Sequence, residues 1–185
     1  MAEIRNMLPT NAIVTLDTGN TCLQAADRLA HYQPMSLITP LDFGLVGFGL
    51  AAAIGAKAAA PERPVVAIMG DGAIGYTLIE IQTAVSHNLP VVIIVLDNEA
   101  WGAEKAYQQE FYGGRLLGAE ITSPRFDQFA VSCGGEGIWV DGPGDVAPAL
   151  EKALASGKTT VIQGKIDPGD LMTLRKDLFD ASSDD

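Results

Sequence analysis

The chain has few cysteines and no long hydrophobic run. Cys22 and Cys133 are the only two among 185 residues and form no CxxC pair, which argues against a thiolate metal site and against disulfide dependence. The longest apolar stretches, such as 90–96 (PVVIIVL), are far shorter than the roughly 20 residues of a membrane span. The N-terminus lacks the basic start and apolar run of a signal peptide. We therefore expect a cytoplasmic protein with no membrane partner.

Basic residues are also scarce, with 12 Lys and Arg against 23 Asp and Glu and a net charge of -11. This charge repels nucleic acid and anionic membranes, so we expect neither as a partner. Hydrophobic residues make up 48% of the chain, enough for a two-sided core. The length fits one domain, predicted at residues 1–179 and followed by a polar tail at 180–185.

Apolar runs alternate with helical patterns along the chain. Strands are predicted at Ala12–Leu16, Val65–Met69, Val91–Leu96, Gly137–Val140 and Thr159–Ile166. Helices are predicted at Thr21–His31, Phe48–Ala60, Tyr76–Asn88, Arg125–Cys133 and Asp145–Ser156. Several strands are apolar without alternation, as is typical of parallel strands covered on both faces. The sequence predicts an α/β fold with a single doubly wound, mostly parallel sheet and helices on both faces.

Polar turns follow two successive predicted strands. Gly70-Asp71-Gly72-Ala73 ends one strand, and Asp97–Gly102 (DNEAWG) ends the next. Ligands bind at the carboxyl ends of strands in such folds, and glycines let the main chain approach a bound group closely. Asp71 alone is better explained as an ordinary Asx turn. Together, a carboxylate and an amide oxygen at neighbouring strand ends indicate Mg²⁺ held between the protein and a diphosphate.

This pattern resembles the fingerprint of thiamine-diphosphate (TPP)-dependent enzymes. The GDG turn is followed by Asn98, with 26 residues separating it from Asp71. The resemblance implies that the side chains of Asp71 and Asn98 and the carbonyl of Ala100 bind the Mg²⁺ that holds the cofactor's diphosphate. Asp97 stands where the family often has Asn, a mild departure because the second position carries the ligand.

Other segments resemble the same family. Asp42–Ala56 (DFGLVGFGLAAAIGA) is similar to the segment on which the cofactor's aminopyrimidine rests. The resemblance implies that the Gly44 carbonyl receives the 4′-amino group and that Val46, with Leu45, bends the cofactor. Gly19 and Asn20 are implied as diphosphate contacts, with a helix N-cap as the alternative. The predicted cofactor-binding residues are Gly19, Asn20, Gly44, Val46, Gly70, Asp71, Gly72, Ala73, Asn98, Ala100, Trp101 and Gly102.

The resemblance covers about residues 8–178 and is to the C-terminal domain of the acetolactate synthase and pyruvate oxidase group. Trp101–Lys105 (WGAEK) and later segments are most similar to sulfoacetaldehyde acetyltransferase, whereas the length resembles the small subunit of sulfopyruvate decarboxylase. These similarities imply a small anionic substrate, either a 2-oxo acid or a sulfonated aldehyde. They imply decarboxylation or C–C/C–S cleavage through a TPP-bound enamine-type intermediate, followed by product release or acyl transfer. An acetolactate synthase-like carboligase is the alternative.

The family's activating glutamate lies on a pyrimidine-binding domain, for which this chain has no room. The resemblance therefore implies a separate partner subunit, in an α2β2 or larger assembly, and leaves the catalytic residue of this chain unknown. Glu104 is a local candidate, with a salt bridge or interface role as the alternative, and Glu80 is expected to be structural. Phe43–Phe48 and the loop Trp101–Tyr112 are expected to contact the partner.

Other interpretations stay open at this point. A non-catalytic module with a degenerate TPP fold is disfavoured because Asp71 and Asn98 are intact. Another doubly wound nucleotide-binding protein is disfavoured because GxGxxG after the first strand and GxxxxGK[ST] are both missing. The start at Met1 and the polar end at Asp185 lead us to expect a complete chain rather than a fragment.

Overall fold

The computed structural model describes residues 1–172; the predicted domain end at 179 and the tail at 180–185 lie outside the described residues. Within this range the strands are β1 (Ile13–Leu16), β2 (Leu37–Ile38), β3 (Val65–Gly70), β4 (Val92–Asp97), β5 (Glu136–Val140) and β6 (Thr160–Lys165). The helices are α1 (Ala2–Met7), α2 (Asn20–Arg28), α3 (Phe48–Ala59), α4 (Asp71–Thr77), α5 (Glu80–Ser86), α6 (Gly102–Phe111), α7 (Phe126–Ser132) and α8 (Val146–Ser156).

The strands form one sheet in the order β2-β1-β3-β4-β6-β5. Every neighbouring pair is parallel, which confirms the predicted parallel α/β fold. The chain runs outward from β1 to β2 and then returns to place β3 on the other side of β1. The strand order therefore reverses between β1 and β3, and ligands bind in the crevice at such a switch point.

Side chains from successive strand residues enter two separate cores. In β3, Val66 and Ile68 pack with α1, α2 and α8 on one face, while Ala67 and Met69 pack with α3, α5 and α7 on the other. Because both faces are covered, these strands are apolar throughout rather than alternating. Helices on both faces are thus confirmed. No helix among residues 1–172 is long and apolar enough to cross a membrane.

The structure differs from the predicted elements in several places. The expected loop Trp101–Tyr112 is largely the helix α6, because the good helix formers of its AEKA stretch follow Gly102 directly. The predicted helix Tyr76–Asn88 begins earlier, at Asp71, and is interrupted at Leu78 and Ile79, both of which keep helical dihedral angles. The helix α1 and the two-residue strand β2 were not predicted; both are too short for a periodic pattern.

Candidate functional site

A cavity of about 180 Å³ lies at the carboxyl ends of β1, β3 and β4, beside the switch point. It is lined by Thr18, Gly19, Asn20, Thr21, Gly44, Val46, Gly70, Asp71, Gly72, Ala73, Asn98, Ala100, Trp101, Gly102, Ala103 and Glu104. Every residue predicted to bind the cofactor is therefore in one place, together with Glu104. Their common location is a finding; the role of each toward a cofactor stays a prediction.

Asp71 is the first residue of α4 and is 2% exposed. Its Oδ2 accepts a hydrogen bond of 2.6 Å from the Ser123 hydroxyl, whereas its Oδ1 is buried without a hydrogen-bond partner. Burial raises the pKa of the Asp71 carboxyl, and the Ser123 hydrogen bond acts in the opposite direction. A buried carboxylate oxygen without a partner is costly, and a bound cation would satisfy it.

The donor set at this position suits magnesium better than a softer metal. No group of three or more His, Cys, Asp or Glu that could hold a metal occurs in the part of the chain described here, so other oxygen ligands would have to complete a metal site at Asp71. Mg²⁺ is commonly held by one or two carboxylates, with phosphate and water oxygens completing the octahedron. Asp71 with the neighbouring Asn98 and Ala100 therefore fits Mg²⁺ bound jointly with a diphosphate.

Asp97 and Asn98 have different surroundings, although they are adjacent in sequence. The Asp97 carboxylate is 1% exposed and accepts hydrogen bonds from Gln163 Nε2 (2.9 Å) and Lys165 Nζ (3.4 Å). These hydrogen bonds connect the end of β4 to β6. Asn98 instead lines the cavity. This difference agrees with the predicted assignment of the ligand to the second position of the pair.

The segment leading into α3 is held by a residue that the sequence analysis did not single out. The Asp17 carboxylate at the end of β1 accepts hydrogen bonds from the main-chain N–H groups of Thr18 (2.9 Å), Gly47 (2.9 Å) and Gly49 (2.6 Å). Burial raises the pKa of Asp17, while these three N–H groups lower it. Gly44 lies in the same segment with φ of +71°, in the left-handed region. Asp17 thereby fixes the main chain that carries the predicted cofactor contacts.

Gly19 and Asn20 lie where α2 begins, one residue before the predicted start at Thr21. The Asn20 side chain makes two hydrogen bonds within the protein. Its Nδ2 donates to the Met172 carbonyl (2.9 Å), and its Oδ1 accepts from Gln24 Nε2 (2.9 Å). Gly19 is the N-cap with φ of +89°, and no side chain caps the helix. The main-chain N–H groups at this helix start are therefore the groups best suited to an anion.

The remaining candidate residues differ in their surroundings. Glu80 lies in α5 and accepts a 2.7 Å hydrogen bond from Thr83 Oγ1, as in a local helix-start interaction. Glu104 is exposed on α6 and lines both the main cavity and a neighbouring one of about 520 Å³. Val46 lines the main cavity, whereas Leu45 is 52% exposed.

The sequence did not indicate a role for Ser123 or Gln163, because neither residue belongs to a recognisable motif.

The fold and this cavity define an α/β domain that binds its ligand where the strand order reverses. The chain belongs to the family described as "Thiamine pyrophosphate enzyme, C-terminal TPP binding domain", which matches residues 17–163. This match confirms the family predicted from the GDG and Asn98 pattern, and the cofactor of such a domain is thiamine diphosphate, for which Mg²⁺ is the usual partner ion.

Individual relatives agree with this membership. The chain is 42% identical to a sulfoacetaldehyde acetyltransferase of Alcaligenes xylosoxydans xylosoxydans, over 88% of this chain and 28% of that protein. It is 35% identical to an acetolactate synthase large subunit of Mycobacterium tuberculosis, over 90% of this chain and 30% of that protein. The solved structure of a thiamine diphosphate-dependent 4-hydroxybenzoylformate decarboxylase from Rhodococcus jostii RHA1 superposes with a TM-score of 0.83 at 30% identity, covering 90% of this chain and 31% of that one. The chain thus spans less than a third of the length of these relatives.

Proposed function

We propose that this chain is the TPP- and Mg²⁺-binding part of an enzyme that acts on a small 2-oxo acid or sulfonated aldehyde. The observation that carries the proposal is the buried Asp71 Oδ1, which has no hydrogen-bond partner in a residue lining the switch-point cavity. A structural aspartate at a turn would satisfy its oxygens locally. An oxygen left for a cation explains the arrangement better.

The residues of this chain would bind and orient the cofactor. Asp71, Asn98 and the Ala100 carbonyl would hold Mg²⁺, and the start of α2 at Gly19 would face the diphosphate. The Gly44 carbonyl would accept a hydrogen bond from the 4′-amino group of the pyrimidine. When bound, TPP would supply the electron sink that stabilises negative charge on the former carbonyl carbon of the substrate. The contribution of this chain is therefore position and electrostatics.

A sulfonated aldehyde is the substrate class that we favour. Support comes from the 42% identity to a sulfoacetaldehyde acetyltransferase, which extends over more than the WGAEK stretch that first indicated it. The proposed reaction cleaves the C–S bond of sulfoacetaldehyde, releases sulfite and transfers an acetyl group to phosphate. Ligation of two 2-oxo acids is the second candidate, supported by 35% identity to an acetolactate synthase large subunit.

The activating glutamate would come from a pyrimidine-binding domain on a separate subunit, in an α2β2 or larger assembly. One observation supports a contact with such a domain: large apolar side chains near the cavity are exposed. Phe43, next to Gly44 of the cavity wall, is 87% exposed, and Tyr76, next to Gly47, is 68% exposed. Such side chains are typical anchors of interfaces. The few cysteines fit a cytoplasmic location.

The test uses the assembly that co-purifies with the tagged chain. TPP is titrated calorimetrically at several Mg²⁺ concentrations into the wild-type assembly, into Asp71→Ala, and into the control Asp27→Ala, which alters an exposed aspartate of α2. We expect Mg²⁺-dependent binding in the wild type and the control and its loss in Asp71→Ala. Undiminished Mg²⁺-dependent binding by Asp71→Ala would refute the metal site.

The same samples identify the reaction. Sulfite and acetyl phosphate formed from sulfoacetaldehyde and phosphate would support the transferase, whereas acetolactate formed from pyruvate would support the carboligase. CO₂ and sulfoacetaldehyde formed from sulfopyruvate would instead indicate a decarboxylase. Turnover of none of these compounds by an assembly that binds TPP would refute the proposed substrate class while leaving the cofactor assignment intact.

A further inference from the structure

The two carboxylate oxygens of Asp71 have unequal surroundings. Oδ2 accepts a hydrogen bond of 2.6 Å from the hydroxyl of Ser123, a length typical of a charge-assisted O–H···O⁻ bond. Oδ1 is buried and without a partner. The single hydrogen bond therefore distinguishes the two oxygens, one fixed by the protein and the other left for a ligand.

Ser123 does not line the cavity and lies in the segment 112–125 between α6 and α7. A buried side chain of the sheet forms hydrogen bonds with this segment and with the start of α7. Gln163 of β6, 1% exposed, donates from Nε2 to the Pro124 carbonyl (3.0 Å). Its Oε1 accepts from the Phe126 N–H (2.7 Å). Gln163 thus ties Pro124 and Phe126, which directly follow Ser123 in the chain, to β6.

Gln163 also reaches the second ligand-bearing loop. Its Nε2 donates to Asp97 Oδ2 at 2.9 Å, and Asp97 directly precedes Asn98. An amide nitrogen has two hydrogens, and here one is directed to Asp97 and the other to Pro124. The Gln163 side chain therefore connects the end of β4, one residue before Asn98, with the segment that contains Ser123.

We propose that Ser123 is a positioning residue for the metal site: its hydroxyl holds Oδ2 of Asp71 so that Oδ1 is kept ready for Mg²⁺. The inference rests on the proposed function, since it assigns Asp71 as a ligand. Gln163 supports this arrangement by holding the main chain at Pro124 and Phe126, directly after Ser123. Hydrogen-bond partners of metal ligands orient them, and their removal typically weakens metal affinity by about 10- to 100-fold.

The test compares three variants of the assembly that co-purifies with the tagged chain. Ser123→Ala removes the hydroxyl, Ser123→Thr keeps it, and Ser132→Ala removes a matched hydroxyl on α7, where Ser132 bonds only its own helix turn at Phe129 (2.7 Å). Mg²⁺ affinity is measured at saturating TPP by calorimetry. Thermal unfolding without ligands is recorded in parallel, because it reports a merely structural role.

We expect Ser123→Ala to weaken Mg²⁺ binding by about 10- to 100-fold while its unliganded melting temperature stays near that of Ser132→Ala. Ser123→Thr should restore the affinity. The proposal is overturned if Ser123→Ala binds Mg²⁺ like the wild type, or if Ser123→Thr fails to restore an affinity that Ser123→Ala lost. A wild-type assembly without Mg²⁺-dependent TPP binding would instead refute the proposed function itself, so the two failures are distinguishable.

Discussion

The indole ring of Trp101 lies against the main chain of Gly72. A Cβ atom added to Gly72 would come within 2.7 Å of the ring, closer than two carbon atoms can approach without a shift. The start of α4 and the loop that follows β4 therefore meet at a position where a side chain does not fit. Trp101 also makes an edge contact with Tyr76 of α4, with 5.9 Å between ring centroids.

Gly72→Ala is therefore expected to displace Trp101 from the cavity wall. Overpacking of this kind costs about 1–3 kcal/mol of unfolding free energy, measurable by urea denaturation, and TPP affinity should fall as well. Gly75→Ala in the same helix is the matched control, because no atom lies within 4 Å of its added Cβ. Equal stability and equal TPP affinity of both variants would show that the Trp101 contact is not a constraint.

A second prediction about the cavity wall concerns the carboxylate of Asp17. Asp17→Asn replaces one acceptor oxygen with an NH₂ group, which cannot accept a hydrogen bond. The Gly47 N–H donates to Oδ1 and the Gly49 N–H to Oδ2, so one of these two hydrogen bonds is lost. Loss of a hydrogen bond to a charged group costs about 1.5–3 kcal/mol, so we expect a loss of this order in unfolding free energy. Amide hydrogen exchange should accelerate at whichever of Gly47 and Gly49 loses its acceptor. Asp42→Asn, an exposed neighbour of the same segment, is the control, and similar exchange rates in both variants would contradict the role of Asp17.

The sequence predicted the sheet well because its strands are buried on both faces. The apolar runs around Val66 and Ile94 are typical of parallel strands covered on both faces, and their predicted boundaries differ from the structure by a residue or so. The GDG turn and Asn98 could be located because ligands of doubly wound folds follow strand ends. The order of the strands, however, follows from long-range pairing that no local pattern encodes.

What the sequence could not reveal are contacts between residues far apart in the chain. Ser123 and Asp71 are 52 positions apart, and Gln163 and Asp97 are 66 apart. A single serine in a polar segment and a glutamine in a strand carry no periodic signal. Asp17 did carry a signal, because a carboxylate directly follows a buried strand, as Asp71 does. The prediction of α6 as a loop failed because the metal-loop motif was given more weight than the helix propensity of the AEKA stretch.

The contribution of Asp127 to the unfolding free energy is predicted to depend on pH. A bidentate hydrogen bond from Arg125 (2.7 and 2.6 Å) lowers the pKa of the Asp127 carboxyl. A carboxyl whose pKa is lower in the folded state stabilises the fold above its unfolded pKa, about 3.9, and this contribution is lost as the pH falls through the folded value. The difference in unfolding free energy between wild type and Asp127→Asn should therefore be largest near neutral pH and shrink below about pH 4.

Urea denaturation at a series of pH values measures that difference. Asp27→Asn, at an exposed position of α2, is the control and should show a smaller pH-dependent difference. A difference between wild type and Asp127→Asn that stays constant from neutral pH to below pH 4 would show that Arg125 does not perturb the Asp127 carboxyl.

Phe43 tests the proposed contact with the pyrimidine-binding subunit. Its side chain is 87% exposed, next to Gly44 of the cavity wall, so little stability of the isolated domain depends on it, and surface substitutions usually change unfolding free energy by less than about 0.5 kcal/mol. An aromatic anchor buried at an interface contributes about 2 kcal/mol or more. Phe43→Ser should therefore weaken the assembly by about 30-fold or more without lowering the melting temperature of the chain. Val131→Ser, at a 57% exposed apolar residue on α7, is the matched control, and sedimentation measures both. If Phe43→Ser assembles as tightly as Val131→Ser, the partner must contact another surface of the domain.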